Sequence, residues 1–434
     1  MDSSKRHPDS RGATKGLPKA QQFGLTPGQA AIMKVLALKK FKENSYMSNF
    51  KLADRLSTLP PYLFAAIDKA KAEVAAKGMD IISLGIGDPD LPTPDFIIEA
   101  LYEGAKKPVN HQYPSYVGMP AYRQAVADWY KQRFDVDLDA QTEVVSLIGS
   151  KEGIAHFPLA YINPGDLALV ATPNYPVYGV ATEFAGGVVE YLPLLEENDF
   201  LVDLEAISSD TWAKAKMIFV CYPNNPTAAT ATKEFYDRLI EKAREFNVIV
   251  ISDAAYTEIY YDPNNRPMSI MECEHAKEVC IEFHSLSKTY NMTGWRVGMA
   301  VGNSDLIAGL GKIKENVDSG IFQAVQEAGI AALRNGEPYA EKFRAIYKER
   351  RDVVSAALTK VGIKHRVPDA SFYLWCNVPD GNNSSEFVTN VLKQTGVVLT
   401  PGNGFGTPGE GYFRISLTVN NDLLEEAVSR ISKL

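Results

Sequence analysis

Cysteine and histidine are scarce in this 434-residue chain, four and six respectively, and neither is grouped. Cys221, Cys273, Cys280 and Cys376 form no C-x-x-C pair, and no H-x-x-x-H or H-E-x-x-H string occurs, so the spacings of common metal sites are missing and no metal is expected. Four thiols over this length make no disulfide scaffold, which points to a reducing, cytoplasmic setting. Long apolar runs are also lacking. None approaches the roughly 18 residues that a membrane helix requires, and Val248 to Ser252 has the length of a buried strand. A basic surface is missing as well: the net charge is -8, which argues against a general nucleic-acid or anionic-membrane binder. The P-loop string G-x-x-x-x-G-K-[ST] does not occur, and a Rossmann-type dinucleotide reading is set aside. Small-molecule chemistry is what these absences leave.

What is present is a 45% hydrophobic, 23% charged composition on a chain long enough for two domains. Residues 1–46 stand apart, with nine Lys or Arg against three Asp or Glu, a net +6 that leaves -14 for the rest. Residues 1–28 read as disordered, and Gln29 to Lys42 has the pattern of a short basic amphipathic helix. Three readings of this extension stay open: a solvated extension preceding a start at Met47, a targeting segment, or a partner-binding tail.

From about Phe50 apolar runs alternate with amphipathic stretches, the pattern of an α/β protein with a mainly parallel sheet. Strands are expected at Val144–Ile148, Leu167–Ala171, Lys216–Cys221, Val248–Asp253, Val279–His284 and Val297–Val301. Helices are expected at Lys151–Tyr161 and Lys233–Phe246. Beyond Asn303 long helical segments run to Lys360, followed by strands at Phe372–Val378, Val397–Leu399 and Tyr412–Ser416 and a last helix, a second α+β domain. In such sheets ligands bind at the carboxyl ends of the strands.

Five elements carry chemistry. Ser285-Leu286-Ser287-Lys288 follows a strand, with Arg296 eight residues beyond Lys288. A lysine so placed can present an amine to an aldehyde while hydroxyl and guanidinium groups hold a phosphate; without those flanking residues a lone lysine is usually a solvated surface residue. S-x-x-K also opens penicillin-binding sites, but the S-D-N and K-T-G elements of those sites are absent. Asp253, closing an apolar strand, is either a helix cap or the partner of a protonated pyridine nitrogen. The turn Tyr222-Pro223-Asn224-Asn225-Pro226-Thr227 can fix Asn225 as a donor. Gly149-Ser150-Lys151-Glu152-Gly153 marks a strand-to-helix start of the kind that binds phosphate through backbone N–H groups. Arg414, inside an apolar strand, needs a planar anion, either an internal carboxylate or a substrate's.

In their order and spacing these elements resemble the fold-type-I aminotransferases, the aspartate aminotransferase superfamily, over about residues 50 to 434. The resemblance implies a large domain with a mainly parallel seven-stranded sheet (91–330), a smaller α+β domain (331–434), and an N-terminal segment (47–90) packing with it. It implies pyridoxal 5'-phosphate, carried by Lys288 as a Schiff base, with Asp253 on the pyridine nitrogen and Asn225 and Tyr256 on the phenolate oxygen. Phosphate would be held by Ser285, Arg296 and the N–H groups around Ser150 and Lys151, and Tyr175 would stack on the ring. Tyr113 would reach in from a second subunit of a homodimer with shared active sites. Arg414, with Gly87 and Asn225 nearby, would bind the substrate α-carboxylate. Ala228 departs from the glycine many members carry there, which concerns turn shape.

Within the superfamily, Leu84 to Pro94, His111 to Pro120 and Asn224 to Ala229 resemble the diaminopimelate aminotransferases, which implies exchange between LL-2,6-diaminopimelate and 2-oxoglutarate in lysine biosynthesis. Tyr62, Glu152 and Tyr178 are nominated for the far end of that substrate. A broader alanine, aspartate or aromatic aminotransferase, a carbon–sulfur lyase on the same scaffold and a binding protein without turnover are the alternatives.

Overall fold

Short, mainly apolar runs build most of the strands in a computed structural model that describes residues 50–57, 59, 70–379 and 381–433. The basic extension over 1–46, its Gln29–Lys42 segment and Tyr62 lie outside these residues. By its internal contacts the chain divides after Thr58, and on the N-terminal side a short helix, Asp54–Ser57, is described. The second unit contains the strands β1 (Ile82–Ser83), β2 (Val144–Leu147), β3 (Leu167–Thr172), β4 (Val188–Pro193), β5 (Ala215–Cys221), β6 (Ile249–Asp253), β7 (Cys280–Ser285), β8 (Gly298–Gly302), β9 (Tyr373–Asn377), β10 (Val397–Val398), β11 (Thr400–Pro401) and β12 (Tyr412–Ser416).

Strands β2 to β8 form a seven-stranded sheet in the order β2-β8-β7-β6-β5-β3-β4. The pairs β7–β6, β6–β5, β5–β3 and β3–β4 are parallel, while β8 runs antiparallel to both β7 and β2. Alternation along β5 explains why this sheet is covered on both faces: Ile218 and Val220 enter one apolar cluster, Met217, Phe219 and Cys221 another. The helix Lys233–Phe246 has the bounds its periodicity predicts. Thr232 caps its start by accepting from the Phe235 N–H, and Asn247 ends it in the left-handed region at φ 56. Phe235, Tyr236, Leu239, Ile240 and Ala243 face the sheet.

A third apolar cluster lies where β9 and β12 pair within a small antiparallel sheet, β11-β12-β9. Tyr347, Val354 and Leu358 of the helix Glu337–Lys360 pack into it. The two-residue strand β1 pairs in parallel with β10, Ile82 opposite Val397.

Two local expectations differ from the structure. The helix expected over Lys151–Tyr161 is two, Ser150–His156 and Pro158–Tyr161, because Pro158 supplies no N–H to continue the first. Strand β4 was not anticipated: as an edge strand with one neighbour it buries only Leu192 of its six residues, so its sequence carries no alternating pattern. The string Gly404 to Gly409 fits G-x-G-x-x-G in letters, yet it lies in short 3₁₀ turns between β11 and β12 rather than between a strand and a helix, so it is no dinucleotide fingerprint.

Candidate active site

The parallel strands end together, and the chemistry-bearing residues stand at or just beyond those ends. Asp253 closes β6 and is buried. Its Oδ2 accepts a 2.7 Å hydrogen bond from the Tyr178 hydroxyl, whereas its buried Oδ1 has no partner among the described residues. Among the described residues no cation forms an ion pair with it. Burial pushes its carboxyl up from 3.8 to about 6, against the opposing hydrogen bonds from Tyr178 and the Ala255 backbone. Such a carboxylate has one lone-pair direction open and no charge partner, and it fits a cationic ring N–H.

Ser285, the last residue of β7, caps the one-turn helix Leu286–Thr289, which carries Lys288. The ammonium of Lys288 donates to the Gly87 carbonyl at 2.7 Å. Burial brings it down to about 8, helped by the charges of Arg414 and Arg296 and opposed by Asp88. A poised amine of this kind can act as nucleophile and base near neutral pH.

Register brings a second group together. Gly298 of β8 lies opposite Leu147 of β2 and Ser285 of β7, and a Cβ at Gly298 would stand 3.1 Å from the Ser150 N. Gly149, at φ 75, opens the helix Ser150–His156 without a side-chain cap. A Cβ on Gly149 would lie 2.5 Å from an Arg296 Nη, so the guanidinium packs directly on this turn. Ser150, Ser285 and Arg296 thus converge around one helix start, where backbone N–H groups, a hydroxyl and a fixed cation can receive a phosphate. Arg296 is itself anchored by donating to the Thr293 carbonyl at 2.9 Å.

Arg414 of β12 completes the site. It is 2% exposed, its guanidinium lying between the rings of Tyr373 and Phe405 at 4.1 and 4.7 Å. It donates to Asn225 Oδ1 and to the Gly85 carbonyl, both at 2.6 Å, and its Nε has no partner. No carboxylate neutralises it, so the internal salt bridge left open by the sequence is not formed among the described residues. With its oxygen engaged, the Asn225 amide directs its NH₂ elsewhere. The Tyr256 hydroxyl shares a 3.1 Å hydrogen bond with that of Tyr373.

Not every expected residue meets there. Tyr113 is 91% exposed on this chain, and the Lys151 ammonium lies 5.9 Å above the Tyr175 ring. Glu152 faces away, bonding to His156, Lys314 and the Ile148 N–H, and Tyr178 serves Asp253. Neither is positioned for a distal substrate group. Tyr373 was not anticipated: its hydroxyl fills the space beside Gly87, where a Cβ would approach it to 1.8 Å. Its location in an apolar strand read simply as core, and only the alternation that puts it on the Arg414 side could have flagged it.

Comparison with known proteins agrees with this geometry. The family model described as aminotransferase class I and II matches residues 79–431. The chain is 73% identical over 388 residues to an LL-diaminopimelate aminotransferase of Maridesulfovibrio salexigens, covering 89% of this chain and 100% of that protein. It is 57% identical to one of Aquifex aeolicus, covering 89% and 99%. Among solved structures, an aspartate aminotransferase mutant of Thermus thermophilus superposes with a TM-score of 0.83 at 26% identity, covering 88% of this chain and 99% of that one. A match of this extent, over a sheet and a site of this geometry, means that the chain belongs to the class I and II aminotransferases.

Proposed function

We propose that this enzyme exchanges an amino group between LL-2,6-diaminopimelate and 2-oxoglutarate, using pyridoxal 5'-phosphate in a homodimer. The observation that carries the cofactor reading is the buried Oδ1 of Asp253, which meets no donor and no cation among the described residues and suits the cofactor's pyridinium N–H. When bound, the cofactor supplies an electron sink that makes the substrate α-proton acidic. Lys288 Nζ would attach the cofactor and, once displaced by substrate, move that proton. Ser150, Ser285, Arg296 and the backbone at Lys151 would hold the phosphate, Tyr175 the ring face, and Asn225 and Tyr256 the phenolate oxygen. Arg414 would take the substrate α-carboxylate beside Gly87, its Nε and the remaining Nη protons being the donors for a planar anion. Residues 91–330 would form the cofactor domain and 331–434 the smaller one, a division supported by the separate apolar cluster around β9 and β12.

The substrate reading rests on relatives 55 to 73% identical that carry the diaminopimelate name, against 26% for the aspartate enzyme. A dimer is supported by the surface around Tyr113, where Val109 is also exposed and His111 packs near the exposed Phe322. Among the described residues no helix is long and apolar enough to cross a membrane, and all four cysteines are buried free thiols, in keeping with a cytoplasmic setting.

The test is a half-reaction screen on purified protein, following the visible cofactor band as single amino acids are added. Bleaching by LL-diaminopimelate and glutamate, with little response to meso-diaminopimelate, aspartate or alanine, is expected. Conversion by aspartate, alanine or aromatic amino acids would point to a broader aminotransferase, and release of pyruvate from cysteine to a lyase.

A further inference from the structure

Tyr178 is among the largest side chains in the molecule to be buried essentially completely, and it makes a polar contact that no apolar role requires. Its ring lies on Phe219 of β5, centroids 5.4 Å apart at 18°, and meets Tyr175 edge-on at 6.0 Å. Its hydroxyl has one proton, given to Asp253 Oδ2 at 2.7 Å. A carboxylate has two oxygens and can rotate; the phenol removes one of them from competition. Lacking that bond, the Asp253 carboxylate, which pairs with no cation among the described residues, would keep only the Ala255 backbone N–H and would be freer to turn away from the ring nitrogen.

We infer that Tyr178 is a positioning residue for the cofactor: by binding one oxygen of Asp253 it aims the other at the pyridine nitrogen. This rests on the cofactor reading above. Other groups facing Asp253 do not duplicate the role. Cys221, opposite it in the β5–β6 register, is held as a neutral thiol by burial, and the Ala255 backbone N–H belongs to the loop that follows. Burial, and then the Asp253 charge, push the Tyr178 phenol well above its usual range, so it stays a donor at all working pH values.

The experiment compares wild-type protein, Tyr178→Phe, Asp253→Asn and the double variant. Phenylalanine keeps the ring on Phe219 and removes only the hydroxyl. Two quantities are read: the dissociation constant of pyridoxal 5'-phosphate for each apoenzyme, and the pH midpoint of the visible band of each loaded enzyme. Loss of a hydrogen bond to a buried charge should weaken cofactor binding about tenfold or more in Tyr178→Phe. The midpoint should move upward, because a ring nitrogen that holds its proton less firmly leaves the conjugated system more basic. In the Asp253→Asn background the same hydroxyl deletion should change little, since the group it aims is gone. Unchanged affinity and midpoint in Tyr178→Phe, or an equal loss with and without Asp253, would overturn the inference while leaving the cofactor assignment intact. Failure of the wild-type protein to take up the cofactor would instead overturn the functional reading itself.

Discussion

At the scale of single residues, two buried titratable groups dominate, and burial drives them in opposite directions. Lys288, lowered to about 8, becomes a free amine just above neutrality, so uptake of pyridoxal 5'-phosphate by apoenzyme should accelerate as pH rises through about 8. In Lys288→Ala the covalent attachment should be lost and turnover should fall by at least about 10³-fold, as removal of nucleophile and base together implies; stopped-flow absorbance and steady-state assay measure the two. Asp253 is an acid whose folded-state pKa is raised from 3.8 to about 6. Between those values the folded apoenzyme binds more protons than the unfolded chain, so stability falls as pH rises, and the penalty is complete above about 6. The shift corresponds to roughly 3 kcal/mol. Asp253→Asn should therefore gain stability relative to wild type as pH rises from 4 to 7, measured by thermal unfolding of cofactor-free protein, although its function is lost.

At the scale of elements, one ion network ties the helix that opens at Ser150 to its surroundings. Lys314, wholly buried near the end of the helix Ser304–Val317, pairs with Glu152 at 3.0 Å and with Asp318 at 3.1 Å. Glu152 also receives the Ile148 N–H at 3.0 Å, immediately ahead of the Gly149 turn. Replacing Lys314 by Met leaves Asp318 without its ammonium partner and Glu152 with only His156 and the Ile148 N–H, which should cost about 3 kcal/mol. Equilibrium unfolding in urea at pH 7 should show that loss as a lower midpoint with an unchanged slope.

At the scale of the whole molecule, the exposure of Tyr113 gives the shared site a direct test. If each site combines Lys288 of one subunit with Tyr113 of the other, a hybrid of Lys288→Ala and Tyr113→Ala subunits contains one site with both residues intact. An equal mixture, unfolded and refolded together, should regain about a quarter of wild-type activity, above either variant alone. Self-contained sites would yield no such gain.

Much of this was legible from residue order. Apolar runs and turn residues located six strands of the central sheet to within a residue or two, because strands covered on both faces must be largely apolar. Lys288, Asp253, Asn225, Arg296 and Arg414 could be singled out because each is a polar group placed at the edge of, or inside, such a run. What tertiary structure alone decided is which of them touch. Tyr178 meets Asp253 across 75 residues, Tyr256 meets Tyr373 across 117, and Asn225 meets Arg414 across 189. Hydrophobic periodicity records which face of an element is buried, whereas partners across such distances are chosen by strand order and register. Those are set by how the sheets pack, a property of the folded chain that no local pattern contains.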